Sequence, residues 1–260
     1  MRAVALTIAG SDPSGGAGIQ ADLKTFHQFG VYGEAVITLI TVQNTVSVER
    51  VECLEAGLVA AQLRAVLADI PPRAAKTGAL GSRAIVEAVA AAARDFTFPL
   101  VVDPVIISKH GRPLANGEAI AAIREQLLPR AALITPNLPE AEVLAGMPVL
   151  DLAGMHAAAL RLHKAGAHAV LIKGGHLAGA ATDLLFDGGD WHEFPAPRLE
   201  TPHTHGTGCT YSAAITASLA QGFSLAAAVA RAKRFITEAI RTNPGLGHGA
   251  GPVNHHTEVT

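Results

Sequence analysis

Short apolar runs alternate along the chain with stretches in which apolar residues recur every three or four positions. That alternation predicts a mostly parallel β-sheet with helices on both faces, an α/β architecture. Residues 4–9, 35–41, 74–76, 100–103, 132–135 and 169–173 are almost continuously hydrophobic, as strands buried on both faces must be. Residues 182–187 and 191–194 flank Gly188-Gly189 and read as an antiparallel hairpin at a sheet edge. Between the runs lie helical stripes. Ile19, Leu23 and Phe26 form one, and Leu58, Val59, Leu63, Val66, Leu67 and Ile70 a second. Leu225, Val229, Ala232, Phe235, Ile236 and Ile240 form a third. No repeat or low-complexity linker interrupts the pattern, so residues 1–260 read as one domain, with a Gly- and His-rich, irregular tail from 245 to 260.

Composition agrees with a large core: 49% of the 260 residues are hydrophobic and 16% charged. A formal net charge of −2 with no block of like charge gives no electrostatic case for nucleic acid or an anionic membrane. Two cysteines far apart, Cys53 and Cys209, make neither a disulfide framework nor a zinc knuckle. The expectation is a reduced, cytoplasmic protein. The apolar run after Met1 leads into a Gly-rich loop and is too short to span a bilayer.

Open α/β sheets bind ligands beyond the carboxyl ends of their strands, so chemistry is sought there. The first strand runs into Gly10-Ser11-Asp12-Pro13-Ser14-Gly15-Gly16-Ala17-Gly18, whose glycines and helix-start amides suit an anion. Gly16 to Ala21 also fits the loose dinucleotide pattern, but the second strand ends in Gln43-Asn44, where that fold wants an acid. The Gln43 carboxamide offers donors and an acceptor in one plane, suited to an aminopyrimidine edge; a turn or cap residue is the bland alternative. Asp103 follows a strand, and Asn137 and Glu140, three apart at a helix start, face the same crevice. These oxygens suit Mg²⁺, and equally suit helix caps. Lys173, before Gly174-Gly175-His176, can reach a phosphate as a point charge.

Thr204-His205-Gly206-Thr207-Gly208-Cys209-Thr210 opens an amphipathic helix carrying Tyr211, Ile215 and Leu219. Successive amides at the positive end of that helix would stabilise a phosphoryl group as its charge develops. The same position is expected to lower the Cys209 thiol pKa. An ordinary Gly-rich helix start, a nucleophilic cysteine and a His203/His205/Cys209 zinc site are the competing readings. A P-loop is absent, so a bound phosphate depends on such a helix-start loop.

Taken in order, these segments, with Lys76-Thr77-Gly78 and Asp103-Pro104-Val105, resemble the hydroxymethylpyrimidine/phosphomethylpyrimidine kinases of thiamine biosynthesis, over nearly the whole chain. The resemblance implies a ribokinase-like fold, a homodimer, and MgATP as donor for two successive phosphorylations of 4-amino-5-hydroxymethyl-2-methylpyrimidine. It places Gly10, Asp12, Ala17, Gln43, Ala79 and Val105 at the pyrimidine, and Gly206, Thr207, Gly208 and Cys209 at the anion hole and catalytic centre. Asp103 and Glu140 fall at the metal. Asn137, Glu140, Lys173 and Lys233 fall at the nucleotide. Sugar kinases of this fold carry an aspartate base where Cys209 stands, which favours a pyrimidine or pyridine alcohol here. Ala79 replaces a frequent methionine and could widen the slot. A pyridoxal kinase on the same fold is the alternative; a nicotinamide-dependent oxidoreductase and a non-catalytic pyrimidine-binding protein are rivals of other classes.

Overall fold

The computed structural model describes residues 3–175 and 181–260. One nine-stranded sheet runs through them in the order β3-β2-β1-β4-β5-β6-β7-β8-β9. The strands are β1 (Val4–Ser11), β2 (Tyr32–Gln43), β3 (Val48–Cys53), β4 (Ala74–Thr77), β5 (Leu100–Val102), β6 (Leu133–Ile134), β7 (Val170–Ile172), β8 (Asp183–Phe186) and β9 (Trp191–Phe194). The helices are α1 (Gly18–Gln28), α2 (Ala56–Asp69), α3 (Arg83–Ala92), α4 (Gly117–Ala122), α5 (Leu138–Ala145), α6 (Leu152–Lys164), α7 (Thr207–Ala220) and α8 (Leu225–Arg241). Strands β2, β1 and β4 to β7 are parallel, while β3, β8 and β9 pair antiparallel at the two edges. The chain passes from β1 to β2 on one side and reaches β4 on the other, so the topological switch point lies between β1 and β4. Ligand crevices open at such points.

Period-2 alternation sorts the strand side chains between two cores. Leu6, Ile8, Leu100 and Val102 face the layer built on Val59, Leu63, Ile85 and Val89 of α2 and α3. Ala5, Val101 and Leu133 face Phe26 of α1, Tyr211 and Ile215 of α7, and Phe235 of α8. Small residues let α7 sit deep against β1, β4 and β5 beneath α1 and α8. Ten of its fourteen residues are buried.

Every expected strand is present. β1 and β2 extend past the predicted bounds, and the edge hairpin begins at Asp183. The sequence reading missed β3, whose exposed edge position leaves only Val48 buried. The expected amphipathicity of α7 is absent, because neighbours cover it on nearly every side. Leu58 of the predicted α2 stripe is 51% exposed. The tail is irregular as expected, yet Val253, His255 and Thr257 are buried. Among the described residues no helix is long and apolar enough to cross a membrane.

One buried ion pair stands out on the α1/α7 side. Lys76 of β4 donates to both Asp22 carboxylate oxygens at 2.8 Å, and Thr7 Oγ1 adds a bond to Asp22 at 2.6 Å. Both charged side chains are wholly buried. Burial alone would lower the Lys76 pKa, but Asp22, Cys209 and Asp103 hold it above its ordinary value. Removing one partner of such a pair leaves an uncompensated charge. Asp22→Asn should therefore cost about 3–5 kcal/mol, read as a drop in the urea midpoint. The double variant Asp22→Leu/Lys76→Met should recover most of it, and an unchanged midpoint in Asp22→Asn contradicts the assignment.

Candidate active site

The carboxyl ends of β1, β2, β4, β5, β6 and β7 and the start of α7 surround a cavity of about 730 Å³. Its first wall is the loop after β1, which is built around Asp12. Asp12 Oδ1 accepts from Ser14 N at 2.8 Å and Ser14 Oγ at 2.7 Å. Oδ2 accepts from Gly16 N at 3.2 Å, Ala17 N at 2.8 Å and His205 Nε2 at 2.8 Å. Burial would raise the Asp12 pKa, yet the bonds from His205 and Ser14 bring it down to about 2. These donors are the amides that the sequence suggested could hold an external anion; an internal carboxylate already takes them. Asp12 lines the cavity, but its side chain is committed to shaping the loop. Glycine is required at Gly18, where φ is +56° and a Cβ would stand 2.3 Å from Gly10 O.

The second wall carries charge. Asp103, after β5, is 2% exposed. Its Oδ1 accepts from Lys173 Nζ at 3.2 Å and Thr135 Oγ1 at 3.1 Å, and its Oδ2 from Ser212 Oγ at 3.1 Å. Asn137 caps α5 in a capping box with Glu140: Asn137 Oδ1 accepts from Glu140 N and Glu140 Oε2 from Asn137 N, each at 2.9 Å. The cap reading of this pair therefore holds, and both residues line the cavity as well. Burial first, then the nearby Asp103 charge, pushes Glu140 up to about 7 against the pull of Lys173. Lys173 is drawn over the start of α7, where a Cβ on Gly208 would lie 3.3 Å from its Nζ.

The third wall is the α7 start. Gly206, at φ +78°, packs so tightly on the first loop that a Cβ would fall 1.7 Å from Gly16 O. Thr207 N is taken by Thr204 O at 3.3 Å, so the run of free amides is interrupted there. Gly206, Gly208 and Cys209 make no backbone N–H bond to the described residues. Cys209 Sγ accepts from Gly18 N. The expected lowering of its pKa does not occur: burial pushes the thiol up to about 12, with Lys76 opposing and Asp22 and Asp103 adding to the rise. Desolvation outweighs the helix dipole although the half-buried Cys209 also lines the cavity.

Gly10, Ala17, Gln43, Ala79 and Val105 all line the cavity. The Gln43 side chain makes no hydrogen bond to the described residues, so its carboxamide is open. Lys233 reaches the same wall, but its Nζ is held by Asp183 Oδ2 and Ala181 O, both at 2.7 Å. His203 and His205 turn to Gly251 N and Asp12, away from a shared metal site with Cys209. His176 lies outside the described residues. Sequence reasoning gave no role to Lys76, Asp22, Thr135, Asp183 or Ser212. Only Ser212, three residues after Cys209 on the same helix, carried a positional signal.

A profile of the phosphomethylpyrimidine kinase family matches residues 12–254. The chain belongs to this family. It is 50% identical over 259 residues to the hydroxymethylpyrimidine/phosphomethylpyrimidine kinase of Rhizobium meliloti, covering 98% of this chain and 97% of that protein. It is also 50% identical over 256 residues to the thiamine biosynthesis bifunctional protein ThiED of Geobacter sulfurreducens, of which it spans 52%. Among solved structures, the ADP complex of Bacillus subtilis pyridoxal kinase superposes with a TM-score of 0.90 at 41% identity, covering 98% of each chain. The family's ribokinase-like layout thus accounts for the sheet order and the cavity at its switch point.

Glu140 supplies a pH test. Its ordinary value of 4.5 applies in the unfolded chain, against about 7 in the fold. The folded state keeps the proton across that interval, so stability falls as pH rises from 4.5 through 7 and stays lower above it. Glu140→Gln retains an oxygen for the Asn137 cap and removes the loss. The variant should melt higher than the parent by roughly 5 °C at pH 8, with the gap closing by pH 5. A gap that does not change with pH contradicts the raised value.

Proposed function

We propose that this family member is a phosphotransferase that moves the γ-phosphoryl group of ATP to 4-amino-5-hydroxymethyl-2-methylpyrimidine and then to the resulting monophosphate. The observation that carries the reading is the start of α7: Gly208 and Cys209 amides without a partner among the described residues at a helix N-terminus, with Lys173 beside Gly208, at the cavity. The open Gln43 carboxamide supports recognition of an aminopyrimidine edge. Ala17, Ala79 and Val105 leave a flat apolar slot from which the hydroxymethyl group would point towards Cys209.

In this reading the alcohol oxygen bonds to the γ-phosphorus as the bond to the departing ADP oxygen breaks. The protein contributes position and charge stabilisation more than covalent chemistry. The α7 amides and Lys173 meet the developing charge. A loose transition state asks little of a base, so a neutral Cys209 thiol beside the hydroxyl is compatible with turnover. The hydroxyl proton then leaves late in the transfer, passing to an oxygen of the transferred phosphoryl group and on to water.

The donor set fits Mg²⁺. Asp103 and Glu140 offer hard oxygens, and burial and the Asp103 charge make a second ionised carboxylate unfavourable at Glu140 despite Lys173. Two carboxylates suit an ion that keeps waters and substrate phosphates as its remaining ligands. When bound, Mg²⁺ would neutralise charge on those phosphates. The same reading takes residues 1–260 as one domain in a cytoplasmic homodimer, for which exposed Tyr32, Ile40 and Val42 of β2 offer an apolar surface. A second reading, a pyridoxal kinase, is favoured by the 0.90 superposition on the Bacillus subtilis enzyme.

With the pyrimidine alcohol and MgATP, product analysis should show the monophosphate followed by the diphosphate, with pyridoxal turned over more slowly. Faster turnover of pyridoxal selects the second reading, and no ADP release with either alcohol refutes both. Gln43→Ala should raise KM for the pyrimidine roughly 10- to 100-fold, since buried hydrogen bonds to the ring are lost, and leave KM for ATP within about 2-fold. Cys209→Ala should lower kcat by roughly 10-fold or more with ATP affinity unchanged; equal turnover removes Cys209 from the reaction.

A further inference from the structure

His205 precedes the α7 turn and is 4% exposed. Asp12 is ionised, so the ring donates Nε2–H to Asp12 Oδ2 at 2.8 Å. The other nitrogen, Nδ1, is buried and finds no partner among the described residues. Leaving it so is unfavourable, a cost that the contact with Asp12 must offset. The His205 backbone is held as well. Its N–H donates to Gly251 O at 3.0 Å, and its carbonyl accepts from Val253 N at 3.3 Å. Two residues further along the tail, the His255 ring meets Thr210 Oγ1 at 3.1 Å in the first turn of α7.

Three chain segments distant in sequence therefore meet at one residue: the loop after β1 through the His205 imidazole, the tail through the His205 backbone, and the α7 turn that His205 opens. Two consequences reach the reacting atoms. Asp12 organises the loop that ends in Gly18, whose N–H lies on Cys209 Sγ. On the other side of the ring, Gly206 leans on Gly16 O. The loop supplies one wall of the substrate slot and the turn supplies the anion-binding amides. Their separation is set where Asp12 and His205 join.

We infer that His205, clamped between Asp12 and the 251–255 tail segment, is a positioning residue that fixes the distance between the substrate slot and the α7 amides. Its ring is held by Asp12, and it acts through the loop and the turn. This inference rests on the kinase reading for its kinetic consequences, whereas its effect on Cys209 does not.

The test uses the full chain in a Cys53→Ser background, with two readouts. In His205→Ala, kcat should fall roughly 10- to 100-fold, the scale of a 1 Å misplacement, while KM for alcohol and ATP stays within about 2-fold. His205→Gln, whose amide N–H can still reach Asp12, should restore most of the rate. Asp12→Asn combined with His205→Ala should be no slower than the worse single variant. In parallel, alkylation of Cys209 by iodoacetamide should accelerate roughly tenfold in His205→Ala, as the local structure around the thiol loosens, and return towards the parent rate in His205→Gln. If His205→Ala does not fold, Asp12→Asn, which keeps an oxygen for the loop amides, is read by the same two measures. Unchanged kcat and alkylation, a glutamine that restores neither, or losses that multiply in the double variant would overturn the proposal. Should the parent release no ADP, the kinase reading fails, and the alkylation rates alone still decide the clamp.

Discussion

Helix α7 is buried along almost its whole length while its first turn opens into the cavity. A helix in that position concentrates partial positive charge at its open end, and the Gly208 and Cys209 amides there have no partner among the described residues. The surrounding structure follows from that constraint. Small residues on α7 let it approach the sheet, Gly206 lets its first turn touch the loop after β1, and Gly208 leaves room for Lys173. The arrangement suits an anion from outside.

Buried charge around the turn is paired with little to spare. Lys76 is matched by Asp22, Lys173 by Asp103 and Lys233 by Asp183. Glu140 has no such ion pair, and its raised pKa expresses first its burial and then the charge of Asp103 nearby. Such balance has a consequence for chemistry. Cations that are already partnered can steer a polyphosphate without binding it so tightly that product is held. The same burial that strengthens these pairs keeps Cys209 protonated, which turns the site towards positioning and away from strong-base catalysis.

Much of this was legible in the residues. Continuous apolar runs mark strands covered on both faces, so six parallel strands and the edge hairpin could be read directly. β3 could not, because an exposed edge strand buries too little to leave a pattern. Helix α7 misled in the opposite way: its sequence shows one stripe, whereas packing covers nearly every side. Residues at strand ends, such as Gln43, Asp103 and Lys173, were found because topology gathers strand ends together. The pairing of Asp22 with Lys76 was not, since partners 54 positions apart leave no local trace. Asp12 and Cys209 show the limit of reading types without surroundings. The first looked like a ligand group and is spent on its own loop; the second sat at a helix start and was expected to be acidic, until burial reversed the sign.

The most direct measurement is a crystal structure of the chain with a non-hydrolysable ATP analogue, Mg²⁺ and the pyrimidine alcohol. The account predicts the γ-phosphate within hydrogen-bond reach of Gly208 N and Cys209 N, with the hydroxymethyl oxygen in line beside Cys209 Sγ. A triphosphate lying along another wall, with the α7 turn contacted only by protein or water, would contradict it.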